Sequence, residues 1–324
     1  MSSATIITCA NCGKSEEENV NLKSCNACHM VKYCNRECQV AHRPQHKKAC
    51  KKRAAEIYDE KLFKEHPPAE DECPICLLPL PLGNEVSFQS CCGKRICDGC
   101  SFSMTLSRAK MAKAQLCAFC REPCTKSDEE AVARAKKLIE TQNDNAWAFN
   151  NLANSYLRGT MGMPRDWDKA REFLLKAGEL GCVDAYYNLG SAYHNGQYGV
   201  ERDEKKVRHY WEVAAMKGNA EARHCLGCME GEADNEYRAV KHFVIAAKAG
   251  HKEALEGVKF GFVNGFVTKD EYASILRANQ QVQDAAKSDM RDKAADYRAL
   301  TEQQRQEFWL EVATGRLGSL QINV

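Results

Sequence analysis

The sequence predicts a mainly α-helical protein in which two small cysteine-rich α+β fingers precede an α-helical repeat solenoid. Two observations carry this prediction. Sixteen of the 19 cysteines lie within residues 1–124, most of them in C-x2-C pairs, and a pattern of 37 residues recurs after residue 145. Segments rich in paired cysteines are typical of small metal-stabilised folds, whereas a recurring helical pattern indicates stacked helix pairs.

The cysteines are expected to bind zinc rather than to form disulfides. The first residues, MSSATIITCANC, lack the basic segment and the apolar stretch of a secretory signal peptide. Paired cysteines in a reducing compartment favour metal binding, so we expect zinc as the cofactor and a cytoplasmic or nuclear location. A net charge of +2 and the lack of a long apolar run make nucleic acid and membrane unexpected partners.

The first array offers eight ligands for two tetrahedral zinc ions, in the pairs Cys9 and Cys12, Cys25 and Cys28, Cys34 and Cys38, and His46 and Cys50. His42 competes with His46, but it lies about 12 Å from Cys50 along a helix, whereas two ligands of one zinc lie about 4 Å apart. Pro44 also suits the first turn of a helix, which would leave His42 outside it. His46 is therefore the expected eighth ligand.

Residues 9–50 resemble a MYND-type zinc finger, including Tyr33 before Cys34 and Gln39 after Cys38, and depart from it at Arg43, where the family often has Trp. The resemblance implies interleaved pairing, with one zinc on Cys9, Cys12, Cys34 and Cys38 and the other on Cys25, Cys28, His46 and Cys50. It also implies a module that binds short proline-containing peptides and has no chemistry of its own. We assign residues 1–52 to this finger and 53–70 to a helical linker.

The second array, assigned to residues 71–126, resembles a RING-type finger in the order and spacing of its cysteines. The resemblance implies interleaving here too, with one zinc on Cys73, Cys76, Cys97 and Cys100. The other zinc would join Cys117 and Cys120 to two ligands from the run SCCGKRICDGC.

The histidine that is usual in a RING finger is missing from this run. The sequence has no histidine between residues 67 and 193, and Lys94, which stands in its place, has no lone pair to offer when protonated. The favoured solution is that Cys91 and Cys92 both bind, as in all-cysteine RING fingers, which gives four zinc ions in the chain. The open alternatives are Cys92 with water, or recruitment of Asp98 or Cys124. An empty site would leave three ions.

The RING resemblance implies a role in ubiquitin transfer through three residues. Ile75 stands inside the first knuckle, where ubiquitin ligases contact the ubiquitin-conjugating enzyme, and Arg121 follows the eighth ligand, where an arginine often bridges that enzyme and ubiquitin. Pro123 fits the family's ending, although Ala118 replaces its usual proline. The sequence shows no catalytic constellation, so we expect a ligase without covalent catalysis, or alternatively a non-catalytic scaffold.

The rest of the chain is dominated by a repeat. Ala148, Leu152, Tyr156 and Gly159 are among nine residues that recur 37 positions later, and a third, shortened copy starts at Ala222. The pattern resembles Sel-1-like repeats, relatives of the tetratricopeptide family, and implies a protein-binding α-solenoid over residues 127–267. Within it, Cys225 and Cys228 are expected to pack rather than to bind metal, because two residues three apart on one helix supply half a site at most.

The segment 268–324 is predicted to form C-terminal helices followed by a frayed tail. Thr268-x-x-Glu271 and Thr301-x-x-Gln304 are typical of capping boxes, in which the side chains at both ends of the motif satisfy free backbone N–H groups. Two helices are therefore expected to begin at these points.

Overall fold

The computed structural model describes residues 7–15, 21–65, 71–83, 85–111, 116–125, 127–196 and 199–314. The chain forms two compact units, residues 1–64 and 65–324. The fold class is the predicted one, mainly helical with a short two-stranded sheet in each finger. Among the described helices, none combines the length and the apolar character needed to cross a membrane.

The first unit combines a small hairpin with one long helix. Strands β1 (Lys23–Ser24) and β2 (Lys32–Tyr33) pair antiparallel, and helix α1 (Arg36–Leu62) follows them. The helix begins after Asn35, whose side chain accepts a hydrogen bond from the Cys38 backbone N–H at 2.8 Å. The expectation that Pro44 marks the first helical turn is therefore wrong, because Asn35 caps the helix two turns earlier and Pro44 lies inside it.

The second finger, which belongs to the second unit, is also built on a hairpin. Strand β3 (Val86–Phe88) pairs antiparallel with β4 (Arg95–Cys97), and helix α2 (Asp98–Met111) follows β4 directly. The loop of this hairpin closes through hydrogen bonds from the Gln89 N–H to the Lys94 carbonyl and from the Gly93 N–H to the Gln89 carbonyl. The hairpin loop carries both Cys91 and Cys92.

The repeats form antiparallel helix pairs in which each helix packs on the next. Their helices are α3 (Asp128–Thr141), α4 (Ala146–Arg158), α5 (Trp167–Glu179), α6 (Val183–Asn195), α7 (Glu204–Met216), α8 (Ala220–Glu232), α9 (Glu236–Lys248), α10 (Ala254–Val263) and α11 (Lys269–Ala285). The recurring residues have matching roles. Ala148, Ala185 and Ala222 are fully buried, whereas Asp166 and Asp203 cap α5 and α7.

The last helices, α12 (Asp289–Ala299) and α13 (Glu302–Ala313), pack against α2 of the second finger. Phe102 and Leu106 of α2 share a buried apolar cluster with residues of both helices, namely Ala294, Phe308 and Val312. The capping boxes predicted at Thr268 and Thr301 are both confirmed, and they begin α11 and α13.

Candidate metal centres

Four of the C-x2-C pairs form the same backbone turn, and these are Cys9/Cys12, Cys25/Cys28, Cys73/Cys76 and Cys117/Cys120. In each, the N–H of the residue after the second cysteine donates to the carbonyl of the first, from Gly13 to Cys9, His29 to Cys25, Leu77 to Cys73 and Arg121 to Cys117, at 2.8–3.2 Å. That residue is left-handed in all four, with φ between 54° and 74°. This turn aims both cysteines of a pair at one point, so it presents two of the four ligands of a tetrahedral metal.

The MYND-like array gathers into two clusters of four ligand atoms, each within 4.8 Å of the others. The first consists of Cys9, Cys12, Cys34 and Cys38, and the second of Cys25, Cys28, His46 and Cys50. Sulfur–sulfur distances of 3.5–3.8 Å match the edges of a tetrahedron with metal–sulfur bonds of about 2.3 Å. These thiolate and imidazole sets fit zinc.

His42 lies beside the second cluster without joining it. Its ring stacks on the His46 ring at a centroid distance of 5.7 Å, and its Nδ1 lies 3.0 Å from the Tyr33 hydroxyl. His46 instead places Nε2 3.2 Å from the Cys28 sulfur. The structure therefore places His42 in a supporting position, where it orients the ring of the ligand histidine.

The second finger forms two more clusters of the same kind. Cys73, Cys76, Cys97 and Cys100 make one, and Cys91, Cys92, Cys117 and Cys120 make the other, again with all ligand atoms within 4.8 Å. The pairs interleave along the chain, because each cluster joins cysteines from distant parts of the finger. Both sites are closed, with four protein ligands and no open position for a reacting water, which is the arrangement of a structural zinc.

Adjacent Cys91 and Cys92 reach the same cluster because they sit at the tip of the β3–β4 hairpin. Cys92 Sγ lies 3.7 Å from Cys117 Sγ. The alternative ligands considered from the sequence, Cys124 and Asp98, make other contacts. Cys124 Sγ accepts a hydrogen bond from Arg108 at 3.5 Å, and Asp98 accepts one from Ser87 and pairs with Arg298.

The electrostatics of the clusters call for a multivalent cation. Burial raises the pKa of the Cys73 thiol, but backbone N–H groups of Cys76, Cys97 and Ile75 outweigh it and lower that pKa to about 7. Burial and the neighbouring Cys25 and Cys28 thiols raise the pKa of Cys50 to about 11. Burial and mutual repulsion therefore oppose full ionisation of the crowded thiols, and a multivalent cation bound among them would offset that repulsion.

The three residues that the RING resemblance singled out all lie at the surface. Ile75 is 39% exposed, and the neighbouring Leu77 is 68% exposed, so the first knuckle presents an apolar edge. Arg121 and Pro123 are exposed beside the fourth cluster, and the left-handed backbone of Arg121 is part of its knuckle.

Arg291 of α12 supports the third cluster and was not anticipated. Its guanidinium donates to the carbonyl of Pro79 at 2.8 Å and to the sulfur of Cys76 at 3.5 Å. Its backbone also lies so close to Gly99 that a Cβ at position 99 would be 2.8 Å from the Arg291 backbone nitrogen. No local signal could reveal this role, because the residues that Arg291 contacts in the finger, Cys76 and Pro79, lie more than 200 positions away.

Residues 9–50 match the family model of the MYND finger, and residues 150–182, 183–219 and 220–251 match that of the Sel1 repeat. The chain contains a MYND finger and three Sel1 repeats. The family models do not identify the second finger as a RING finger. No curated protein matches the chain.

Among solved structures, the chain is similar to a Sel1 repeat protein from Oxalobacter formigenes at 26% identity, over 40% of this chain and 97% of that one, with a TM-score of 0.35. It is also similar to c5321, a protective antigen of uropathogenic Escherichia coli with an SLR fold, at 18% identity, over 65% of this chain and 51% of that one, with a TM-score of 0.42. The immunity protein Pa5087 from Pseudomonas aeruginosa matches at 19% identity, over 56% and 81%, with a TM-score of 0.30.

Proposed function

We propose that this protein is a zinc-containing interaction protein whose second finger acts as a RING-type ubiquitin ligase. The MYND finger and the Sel1 repeats are domains that typically mediate protein–protein interactions. The observation that carries the ligase proposal is the pair of interleaved four-cysteine clusters in the second finger, with Ile75 exposed at the knuckle of one cluster and Arg121 at the knuckle of the other.

In this proposal the finger positions two other proteins and performs no covalent step. The apolar edge formed by Ile75 and Leu77 would receive a ubiquitin-conjugating enzyme, and the Arg121 guanidinium would hold ubiquitin against that enzyme. Four zinc ions would keep the two fingers folded. Because zinc-binding thiolates must stay reduced, the proposal includes a reducing compartment, the cytoplasm or the nucleus.

The MYND finger and the repeats would select the proteins to be modified or assembled. Met30 and Val40 of the MYND finger are largely exposed, at 57% and 61%, and each would give a proline-containing peptide an apolar contact.

The test is the discharge of ubiquitin from thioester-loaded conjugating enzymes to free lysine, measured across a panel of these enzymes with the full chain. We expect faster discharge with the wild type, and at least a tenfold loss with Ile75→Ala or Arg121→Gly. Glycine suits the left-handed backbone at position 121, so Arg121→Gly removes the side chain without straining the knuckle.

Glu122→Gln is the matched control, because Glu122 is exposed next to Arg121 and contributes its backbone carbonyl, not its side chain, to the knuckle. It should leave discharge unchanged. Discharge that is no faster with the wild type than without it, across the whole panel, would overturn the ligase proposal.

The second candidate is a scaffold in which the second finger binds partners without transferring ubiquitin. The packing of α12 and α13 on α2 favours it, because Phe102 and Leu106 of α2 are already buried against these helices. A scaffold predicts background discharge together with intact zinc content.

A further inference from the structure

The middle of helix α1 carries a dense cluster of positive charge. Residues 43–53 include six Arg and Lys side chains, and residues 38–55 include no Asp or Glu. Five of the six cations are exposed, and we call them the basic face of α1: Arg43, Lys47, Lys48, Lys51 and Lys52. The net charge of +2 for the whole chain conceals this concentration, which is why composition makes nucleic acid an unexpected partner.

The protein itself does not neutralise the basic face. The sixth cation, Arg53, differs, because its guanidinium pairs with Glu56 at 3.1 Å and with Glu60 at 2.9 Å further along the helix. Within the described part of the chain, no carboxylate lies within 4.0 Å of any cation of the basic face. The face therefore presents five positive charges that need a partner from outside.

The five cations form two stripes along α1. One stripe has three members at intervals of four residues, and the other has two: Arg43/Lys47/Lys51 and Lys48/Lys52. Residues four apart lie about 6 Å from each other along the axis, and the two stripes lie about 100° apart around it. Together the stripes cover about 14 Å of helix length. Both stripes consist of exposed residues, so a partner can reach them without displacing a zinc ligand.

The composition of this surface is unlike that of a protein-binding site. The exposed residues between the cations are Pro44, Gln45 and Ala49, and Val40 lies three residues before Arg43, at the end of the face. Interfaces between proteins have a buried apolar or aromatic centre and are depleted of lysine. Stable attachment to a membrane needs an apolar face or a lipid anchor in addition to positive charge. Neither kind of partner matches a surface made of cations alone.

A nucleic-acid backbone does match it, because its phosphates form a regular array of negative charges that basic side chains bind without an apolar contact. From the charge and the spacing we propose that the basic face of α1 binds the phosphate backbone of a nucleic-acid duplex without reading its base sequence. The inference goes beyond the proposed ligase function and does not depend on it.

A duplex suits the basic face better than a single strand does. Surfaces that bind single strands rely on aromatic side chains that stack on the bases. Residues 43–55 include no aromatic side chain except that of His46, which is buried. The major groove of a duplex is about 12 Å wide and accepts an α-helix, with a phosphate strand on either side. Two stripes of cations on one helix are suited to these two strands.

The experiment measures the fluorescence anisotropy of a labelled DNA duplex of about 20 base pairs, and of the RNA duplex of the same sequence, with the zinc-loaded full chain at about 50–200 mM salt. We expect affinity to fall with salt, with a slope of log K against log salt of about −4.5 for DNA, because each of about five neutralised phosphates contributes about −0.9. Binding of either duplex supports the inference, and the tighter one identifies the source of the phosphates.

The test variant replaces four of the five cations: Lys47→Gln/Lys48→Gln/Lys51→Gln/Lys52→Gln. Its affinity should be at least tenfold lower, and its salt slope should shrink to about −1. Glutamine is a good helix former and none of the four lysines is a zinc ligand, so the zinc content should not change. Arginine at the same four positions keeps the charge and should retain the binding.

The matched control removes the same charge from four exposed lysines of the second unit: Lys176→Gln/Lys205→Gln/Lys252→Gln/Lys287→Gln. It should bind like the wild type. An equal loss in this control, an unchanged affinity in the test variant, or no binding of either duplex would overturn the inference. Tighter binding of the single strand would do so too, as would displacement of the duplex by polyglutamate or by phosphatidylserine vesicles at equal charge concentration. The assay contains no ubiquitin, so its result is separate from that of the discharge assay.

Discussion

Replacing Gly190 by alanine should destabilise the Sel1 repeats, although alanine is the better helix former. A Cβ at position 190 would lie 2.3 Å from Cδ1 and 2.5 Å from Nε1 of Trp211. The indole cannot retreat easily, because it is 3% exposed and its Nε1 donates to the Tyr187 carbonyl at 3.3 Å.

Two opposing effects determine how much the free energy of unfolding decreases. Overpacking costs about 1–3 kcal/mol, and a Cβ placed 2.3 Å from an indole that is held in position belongs in the upper part of that range, at about 2–3 kcal/mol, whereas Gly→Ala inside a helix gains about 1 kcal/mol. The net loss should be about 1–2 kcal/mol, which lowers the melting temperature of a unit of this size by roughly 2–6 °C. Gly231→Ala is the matched control, because its nearest neighbour would be the Ala239 Cβ at 4.0 Å, and it should stabilise the repeats by about 0.5–1 kcal/mol.

Thermal unfolding followed by circular dichroism at 222 nm measures both variants. Adding Trp211→Leu to Gly190→Ala should recover part of the loss, since the shorter side chain frees the space. If Gly190→Ala melts at or above the wild type while Gly231→Ala behaves as expected, the close packing of helix on indole does not limit stability, and the reasoning fails.

Two further predictions concern buried basic side chains. Arg291→Met should increase hydrogen exchange of the α12 amides by tenfold or more, because it removes charge-assisted bonds to the Pro79 carbonyl and the Cys76 sulfur; unchanged protection of α12 would contradict this role. Burial, with Arg223 nearby, lowers the pKa of His242 to about 3. The unfolded chain protonates this histidine below about pH 6.5 and the folded chain does not, so stability should fall as the pH drops from about 6.5 towards 3. His242→Phe should flatten this dependence in the exchange of α9 amides, and an unaltered slope would refute the assignment.

The features that could be predicted from the sequence are those that depend on the spacing of residues close together in the chain. The structure gathers the same four sets of cysteine and histidine residues, since a C-x2-C pair and its left-handed turn are formed within six residues. The repeats were predicted for a similar reason, because Ala148, Gly159 and Asp166 recur in fixed roles as a buried contact, a helix end and a helix cap. Whether each set holds a metal ion stays a prediction.

Long-range contacts account for what the sequence could not supply. Arg291 of α12 contacts the third cluster, and Phe308 packs on Phe102 within the second unit. No local sequence pattern predicts either contact. Pro44 predicts a first helical turn, but α1 begins earlier, at Arg36, because the Asn35 side chain caps it there.

The most direct test of the whole account is the number of zinc ions bound by the full chain, counted by native mass spectrometry. We predict four ions in the wild type, four in Cys124→Ser and in Cys225→Ser/Cys228→Ser, and three in Cys91→Ser. Three ions in the wild type, or no loss in Cys91→Ser, would contradict the claim that adjacent cysteines complete a second closed site in the second finger.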